Sequence, residues 1–106
     1  MASILLVLTS SPHSPPGQRA LALAGSLAEA GHAITLCCLQ DAVFLGVGDQ
    51  ARPALRRLLG GGAQWAVLRE DLAMRGLRAP EGASVVDHAG VVALLTAGHD
   101  RVIGAL

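Results

Sequence analysis

Apolar runs separated by polar or glycine-containing segments recur along the whole chain, and most of them lack a strict alternation of apolar and polar residues. Such runs are typical of strands that are covered on both faces, as in parallel sheets. They predict five strands, at Ser3 to Thr9, Ala33 to Leu39, Gln64 to Leu68, Ser84 to Val86 and Arg101 to Leu106.

Helical patterns lie between these runs. They predict four helices, at Gly17 to Ala30, Pro53 to Leu59, Arg69 to Arg75 and Asp87 to Ala97. Gly31 and Gly76 follow two of these segments and suit the left-handed conformation that ends helices. Asp87 is predicted to be the N-cap of the last helix, because its carboxylate can accept a hydrogen bond from a free backbone N–H.

The alternation of strands and helices predicts a single α/β domain over residues 1–106. We expect a three-layer α/β/α architecture with a mostly parallel five-stranded sheet, akin to the flavodoxin-like arrangement. In such folds, functional groups lie beyond the carboxyl ends of the strands. The segments predicted at that edge are Ser10 to Gly17, Gln40 to Phe44, Leu68 to Asp71, Val86 to Ala89 and the chain end.

Composition restricts the partners and the chemistry. The formal net charge is zero, from eight arginines and eight acidic residues, so no net field attracts nucleic acid or an anionic membrane. The absence of lysine excludes a Schiff-base lysine.

The apolar run from Ile4 to Leu8 is too short for a signal sequence or a membrane span, which predicts a cytoplasmic protein. With one Trp, one Phe and no Tyr, packing depends on aliphatic residues, which favours oligomer formation.

The adjacent cysteines Cys37 and Cys38 lie in a predicted strand, where their side chains point to opposite faces. This arrangement indicates neither a disulfide nor a CxxC redox pair, and we interpret both residues as part of the core. Sulfur transfer directly on Cys37 or Cys38 is the alternative.

Other candidate sites are weaker. Gly46 to Ala51 matches the glycine pattern of dinucleotide-binding loops, but no strand directly precedes it. The four histidines are spread singly, so we expect no metal site, and we expect no cofactor. A stand-alone domain that binds a small ligand or a nucleotide is kept as an alternative function.

Two segments carry a family resemblance: EDLAMRGL (Glu70 to Leu77) and SVVDHAGVVALLT (Ser84 to Thr96). Together they resemble the D-L-x-x-R-G helix and the following V-x-D motif of the DsrH/TusB family, a branch of the DsrE-like sulfur-relay superfamily. Ser11-Pro12 and Gln40-Asp41 are similar to further elements of that pattern. The chain departs from the pattern at three positions, which are His88 for Tyr, Ala42 for Gly and Val91 for Phe.

The resemblance implies a DsrE/DsrH-like fold and a subunit of a sulfurtransferase complex. Related subunits that perform the chemistry hold a Cys at the end of the third strand, where this chain has Leu68, so the resemblance implies no catalytic residue here. It implies a heterohexamer with homologous DsrE-like and DsrF-like subunits, served by a small sulfur-carrier protein. The pathway is either synthesis of 2-thiouridine in tRNA or sulfur oxidation.

The resemblance also implies side chains that contact a partner subunit or lie beside its persulfide. His99 stands where family members carry Cys or His near the C-terminus. The remaining candidates are charged residues of the matched motifs, Asp41, Asp71, Arg75 and Asp87.

Overall fold

The computed structural model of the protein describes residues 1–106, in which five strands alternate with helices. The strands are β1 (Ser3–Leu8), β2 (Ala33–Cys38), β3 (Gln64–Leu68), β4 (Ser84–Val86) and β5 (Arg101–Ala105). The helices are α1 (Pro15–Glu29), α2 (Arg52–Gly60), α3 (Arg69–Met74) and α4 (His88–Thr96). A 3₁₀ helix, Gln40–Gly46, forms from the apolar stretch that follows β2. The predicted succession of elements is confirmed.

Helix α1 begins two residues earlier than predicted, at Pro15. Ser14 is its N-cap, and the Ser14 hydroxyl accepts a hydrogen bond from the Gly17 N–H at 3.2 Å. Pro15 and Pro16 occupy the first turn, where a missing N–H costs nothing because that donor has no partner inside the helix. The two prolines therefore start the helix, two residues before the predicted start at Gly17.

The strands form one sheet in the order β4-β3-β2-β1-β5, and every neighbouring pair is parallel. The predicted α/β fold with a five-stranded sheet is confirmed. The order differs from the 2-1-3-4-5 order of flavodoxin, because β1 lies here between β2 and β5.

Helices α1 and α2 and the 3₁₀ helix cover one face of the sheet, which we call the first face, and α3 contributes Leu72 to the same cluster. Ile4, Leu6 and Leu8 of β1 point to it, as do Ile34 and Leu36 of β2. These side chains pack with residues of the helices in a core cluster of 18 buried residues. Burial of so many aliphatic side chains is the main source of stability of the fold.

The opposite face, which we call the second face, has a much smaller cluster. Leu5, Cys37, Leu68 and Val91 form it, and α4 is the only helix that contributes to it. Helix α4 runs between β4 and β5, which lie at opposite edges of the sheet. A helix about 10 Å wide covers roughly two strands at a strand spacing of about 4.8 Å. Part of the second face therefore stays open.

No helix in the structure combines the length and the apolar character that crossing a membrane requires.

Candidate functional site at the carboxyl edge of the sheet

Leu68 ends β3 and directly precedes α3, at the position that the sequence analysis singled out. Its side chain is 6% exposed and packs in the second-face cluster with Leu5, Cys37 and Val91. The side chain contains no heteroatom, so this position can neither accept nor donate sulfur. Its contribution at this place is apolar packing under α4.

Three of the predicted site residues meet beside Leu68. Arg75 Nε donates to Asp41 Oδ1 at 3.1 Å, and Arg75 Nη1 donates to the Asp71 carbonyl oxygen at 3.1 Å. The Gln40 N–H donates to Asp71 Oδ2 at 2.7 Å. These contacts join the segment after β2 to α3, which explains why the Gln-Asp pair and the Asp-x-x-x-Arg spacing occur in one sequence.

The backbone at Gln40 has an unusual conformation, with φ of 52°. Residues other than glycine rarely adopt this left-handed backbone conformation, and each such residue costs on the order of 1 kcal/mol of stability. The short hydrogen bond to Asp71 compensates for that cost, because a charged acceptor binds an N–H more strongly than a neutral one. Asp71 is therefore needed to hold the end of β2 in shape.

Asp87 lies on the other side of Leu68, after β4. Its Oδ1 accepts a hydrogen bond from the Gly90 N–H at 2.8 Å, which confirms the predicted N-cap. Its Oδ2 lies 3.4 Å from Arg69 Nη2, and His88 Nδ1 lies 3.8 Å from Glu70 Oε2. The side chains of both pairs are largely exposed, although Glu70 Oε2 itself is buried, so each pair contributes little to stability. They form a polar rim around a buried apolar position.

His99 lies at the opposite edge of the sheet. It precedes β5, and β5 runs parallel to the other strands, so His99 is at their amino ends. Its Nδ1 is 3.1 Å from the Ser3 hydroxyl, and the neighbouring Asp100 Oδ2 accepts from the Ser3 N–H at 2.8 Å. Within one chain His99 does not join the carboxyl-edge residues, and its placement beside a partner's persulfide stays a prediction.

The sequence analysis did not find the contacts of Ser3. Ser3 is separated from His99 and Asp100 by more than ninety residues, and no local pattern signals such a pair. The contacts arise because β1 and β5 are neighbours in the sheet.

Both thiols are free and fully buried. Burial raises the pKa of Cys37 and raises the pKa of Cys38 to about 12, because the thiolate would lose its hydration. The Trp65 side chain lowers the pKa of Cys38, but burial is the larger effect. Cys38 belongs to the first-face cluster and Cys37 to the second, as the strand alternation predicted.

The glycine pattern from Gly46 to Ala51 has a structural explanation. A side chain at Gly46 would meet Trp65 and Pro80, so the absence of a Cβ allows packing inside this chain. The pattern lies between the 3₁₀ helix and α2, and no strand leads into it. The requirements of a dinucleotide-binding loop are not met. No three His, Cys, Asp or Glu side chains converge as a set of metal ligands.

A parallel five-stranded sheet with helical layers and a charged contact network at its carboxyl edge defines the chain as an α/β domain. A family model described as "DsrH like protein" matches residues 13–102. The chain belongs to this DsrH family, and its function is therefore related to sulfur relay. The family resemblance seen in the helix and strand motifs is confirmed.

Solved structures support the fold. The ychN protein from E. coli superposes with a TM-score of 0.81 at 21% sequence identity, covering 98% of this chain and 99% of that one. A conserved protein of unknown function from Bacteroides thetaiotaomicron has a TM-score of 0.79 at 12% identity, with 97% and 94% coverage. A protein of unknown function from Methanobacterium thermoautotrophicum has a TM-score of 0.72 at 17% identity, with 96% of both chains covered. No curated protein sequence matches the chain significantly.

Proposed function

We propose that the protein is a non-catalytic subunit of a sulfur-relay complex, in which homologous DsrE-like and DsrF-like subunits transfer the persulfide. The observation that supports this role most directly is the inaccessibility of every sulfur nucleophile in the chain: both thiols are fully buried, and the rim of β3 ends in Leu68. The proposal places the complex in the cytoplasm, where thiols are kept reduced.

Persulfide relay requires an accessible thiolate. A thiolate attacks the outer sulfur of the donor persulfide, so the rate depends on the thiolate fraction and on access to the sulfur. Cys38 fails on both counts, since its pKa is raised to about 12 and its sulfur is buried. Cys37 is equally enclosed, beneath Leu68 and Val91.

The second face supports a role in assembly. Val92 and Leu95 on α4 are 57% and 43% exposed, and Val102 on β5 is 47% exposed. Val102 pairs with Leu5 across the sheet and so lies on the same face as the α4 cluster. Helix α4 is apolar on all sides in its sequence HAGVVALLT, a composition that is typical of a helix buried on more than one side. Homologous subunits in a heterohexamer would cover this surface.

The charged pairs at the carboxyl edge would form a polar rim beside that interface. Asp41, Arg75 and Asp87 are close to Leu68 along the edge, whereas His99 lies at the other edge of the sheet. We propose that the first three contact the thiol-bearing partner, and that His99 contacts a different subunit. The pathway served is synthesis of 2-thiouridine in tRNA or sulfur oxidation, and a small sulfur-carrier protein supplies or receives the sulfur.

A persulfide-loading experiment tests the non-catalytic role. The purified chain is incubated with a persulfide donor, and intact mass spectrometry under native conditions measures any gain of one sulfur atom. We expect no gain on Cys37 or Cys38. A Met74→Cys variant is the control for donor activity, because position 74 is 81% exposed and its thiol should be loaded. Loading of the unmodified chain would contradict the proposal.

Co-purification tests the assembly. The chain is tagged and recovered from its native host, and we expect two homologous DsrE-like chains in equal amount. Recovery of the chain alone would contradict membership in the complex and would favour a stand-alone ligand-binding domain, which a thermal-shift screen with nucleotides and flavins would then examine.

A further inference from the structure

Strand β5 forms one edge of the sheet and lacks the features that usually keep an edge strand from pairing with another chain. It contains no proline and no lysine, and its single charged side chain, Arg101, is at its first position. The strand at the other edge, β4, has only three residues, and such short edge strands offer little to pair with. The unprotected edge of the sheet is therefore β5.

The hydrogen bonds of β1 show which of its residues bond to β5. The carbonyl oxygens of Ala2 and Leu8 accept from N–H groups of β2 and of the residue after it, at 2.8 and 2.9 Å. Consecutive residues of a strand direct their backbone groups to alternate sides, so even-numbered residues of β1 bond to β2. The Ser3 carbonyl oxygen accepts from the Asp100 N–H at 2.8 Å, as this alternation requires. Leu5 therefore bonds to β5.

Two residues of β5 are left with free backbone groups. In a parallel ladder, a residue bonds to the two residues that flank its register partner. Leu5 is in register with Val102, so Leu5 bonds to Arg101 and Ile103. The N–H and C=O groups of Val102 and Gly104 then point away from β1, where no further strand lies. No hydrogen bond of a turn, cap or loop reaches them.

We propose that β5 pairs antiparallel with β5 of a second copy of this chain, about a twofold axis at Ile103. In this register Val102 of one copy lies opposite Gly104 of the other, and the two residues exchange two hydrogen bonds. The same pair occurs again on the other side of the axis. The pairing therefore satisfies every free backbone group of these two residues in both copies.

The side chains fit this register. Ile103 is half-buried against the first-face cluster, and it meets Ile103 of the copy in a non-hydrogen-bonded pair, in which side chains are closest. The apolar cluster of one copy thus continues into the other. Val102, 47% exposed, lies opposite a glycine, so no side chain opposes it. Arg101 lies opposite Ala105, so like charges do not meet.

A second copy fits the edge better than an unrelated strand does. It carries free groups at the same spacing as those it meets, and it is already extended, so pairing orders no flexible segment. The pairing uses backbone groups at an edge of the sheet, separate from the apolar interface proposed on the second face. It therefore does not rest on the sulfur-relay role, and the chain alone suffices to test it.

Amide hydrogen exchange of the unmodified chain tests the pairing residue by residue. The chain is studied by ¹⁵N NMR between roughly 0.05 and 1 mM, and sedimentation velocity measures its mass over the same range. We expect a change from monomer to dimer, with protection of the Val102 and Gly104 amides rising about tenfold or more. Ile103, bonded to β1, should stay protected throughout. A monomer at every concentration, or unchanged exchange at Val102 and Gly104, would overturn the proposal.

A proline substitution tests the outward N–H. Gly104→Pro removes this donor but no bond to β1, and edge strands accept proline where the N–H faces solvent. Gly104→Ala is the matched control, since it adds a Cβ in ordinary contact with Leu106, at 3.7 Å, and keeps the N–H. Gly104→Pro should weaken dimerisation about tenfold or more, and Gly104→Ala should leave it nearly unchanged. Equal effects of the two variants would contradict backbone pairing.

Cross-linking tests the register. Cα atoms of a non-hydrogen-bonded pair are about 4.5 Å apart, within the range of a disulfide, so Ile103→Cys should give a covalent dimer with oxidised glutathione. Arg101→Cys is the control, because its equivalents lie four residues out of register, roughly 13 Å apart. Both native thiols are buried and should not react. The proposal fails if the two variants cross-link equally, if Ile103→Cys does not cross-link, or if Val92→Glu abolishes the dimer and Gly104→Pro does not.

Discussion

At the scale of single residues, the two thiols should dominate the pH dependence of stability at alkaline pH. The chain contains no Tyr and no Lys, the other side chains that ordinarily ionise at alkaline pH near the thiols. Between about pH 9 and pH 12, Cys37 and Cys38 are therefore the only side chains whose ionisation changes on unfolding.

We expect stability to fall with rising pH in that range. Burial raises the pKa of both thiols in the folded state, to about 12 for Cys38, so the unfolded chain releases these protons first. The stabilisation from Cys38 is complete below about pH 9 and is lost as the pH rises toward 12, with a slope of up to about 1.4 kcal/mol per pH unit, and Cys37 adds a change of the same sign. Urea unfolding followed by the fluorescence of Trp65, the single tryptophan, measures the slope.

The control is the double variant Cys37→Ala, Cys38→Ala. It should be less stable than the original chain near pH 8, because two buried sulfur atoms are removed. Its stability should nevertheless change little between pH 9 and pH 11. An equal slope in both proteins would show that the thiols are not protected by burial.

At the scale of elements, the two glycines of α1 have different functions although they lie on one helix. Gly17 is in the first turn, and a Cβ there would overlap the carbonyl oxygen of Ser11. Gly25 is in the middle of the helix, and a Cβ there would touch nothing.

Alanine substitutions at these glycines should change stability in opposite directions. Gly25→Ala should raise the free energy of unfolding by about 0.5–1 kcal/mol, because alanine has the higher helix propensity and no clash opposes it. Gly17→Ala should lower it by about 1–3 kcal/mol through the clash with the Ser11 carbonyl. Urea denaturation of both variants checks the signs, and a loss of stability in Gly25→Ala would contradict the open space seen there.

Helix α4 depends on its N-cap. Asp87→Ala should destabilise the protein by about 1 kcal/mol, because the Gly90 N–H loses its acceptor. Asp87→Asn keeps a capping oxygen but removes the ion pair with Arg69, so its stability should stay near that of the original chain. Equal losses in the two variants would assign the effect to the charge and not to the cap.

At the scale of the whole molecule, the two faces of the sheet are unequally covered. The first face has an 18-residue cluster under two helices and the 3₁₀ helix, whereas the second has four buried residues under α4. Exposed apolar side chains that remain on a parallel sheet are unusual, since such sheets are normally buried on both faces. Association with another subunit would therefore bury the most exposed apolar surface at the second face.

A charge on this face should reduce association without unfolding the chain. Val92 is more than half exposed, so Val92→Glu should be tolerated in the isolated protein, and it should lower recovery of the homologous subunits about tenfold or more in co-purification. Met74→Glu is the control, because Met74 is also an exposed apolar residue but lies on α3. Equal recovery with Val92→Glu would remove the second face from the interface.

Local features of the fold could be predicted from individual residues. The strands were recognisable because their apolar runs have no helical period, and Gly31, Gly76 and Asp87 marked helix ends through their own conformational or hydrogen-bonding preferences. The start of α1 was misplaced because Pro15 and Pro16 favour both loops and first helical turns, and only the Ser14 cap decides between them.

The candidate site was predictable in part. Asp41, Asp71 and Arg75 were selected by their motif, but their mutual contacts and the left-handed backbone of Gln40 became visible only in the structure. His99 was selected in the same way, yet it lies at the opposite edge of the sheet, because its place depends on where β5 joins.

The sequence by itself determined the succession of strands and helices, the helix ends at Gly31, Gly76 and Asp87, and the absence of a thiol at the end of β3. These properties depend on residues that are neighbours along the chain, so a local pattern suffices. The tertiary structure alone decided the order of the strands, the pairing of Ser3 with His99 and Asp100, and the open second face. These depend on contacts between distant segments, whose free energies are set by the packing of the whole sheet.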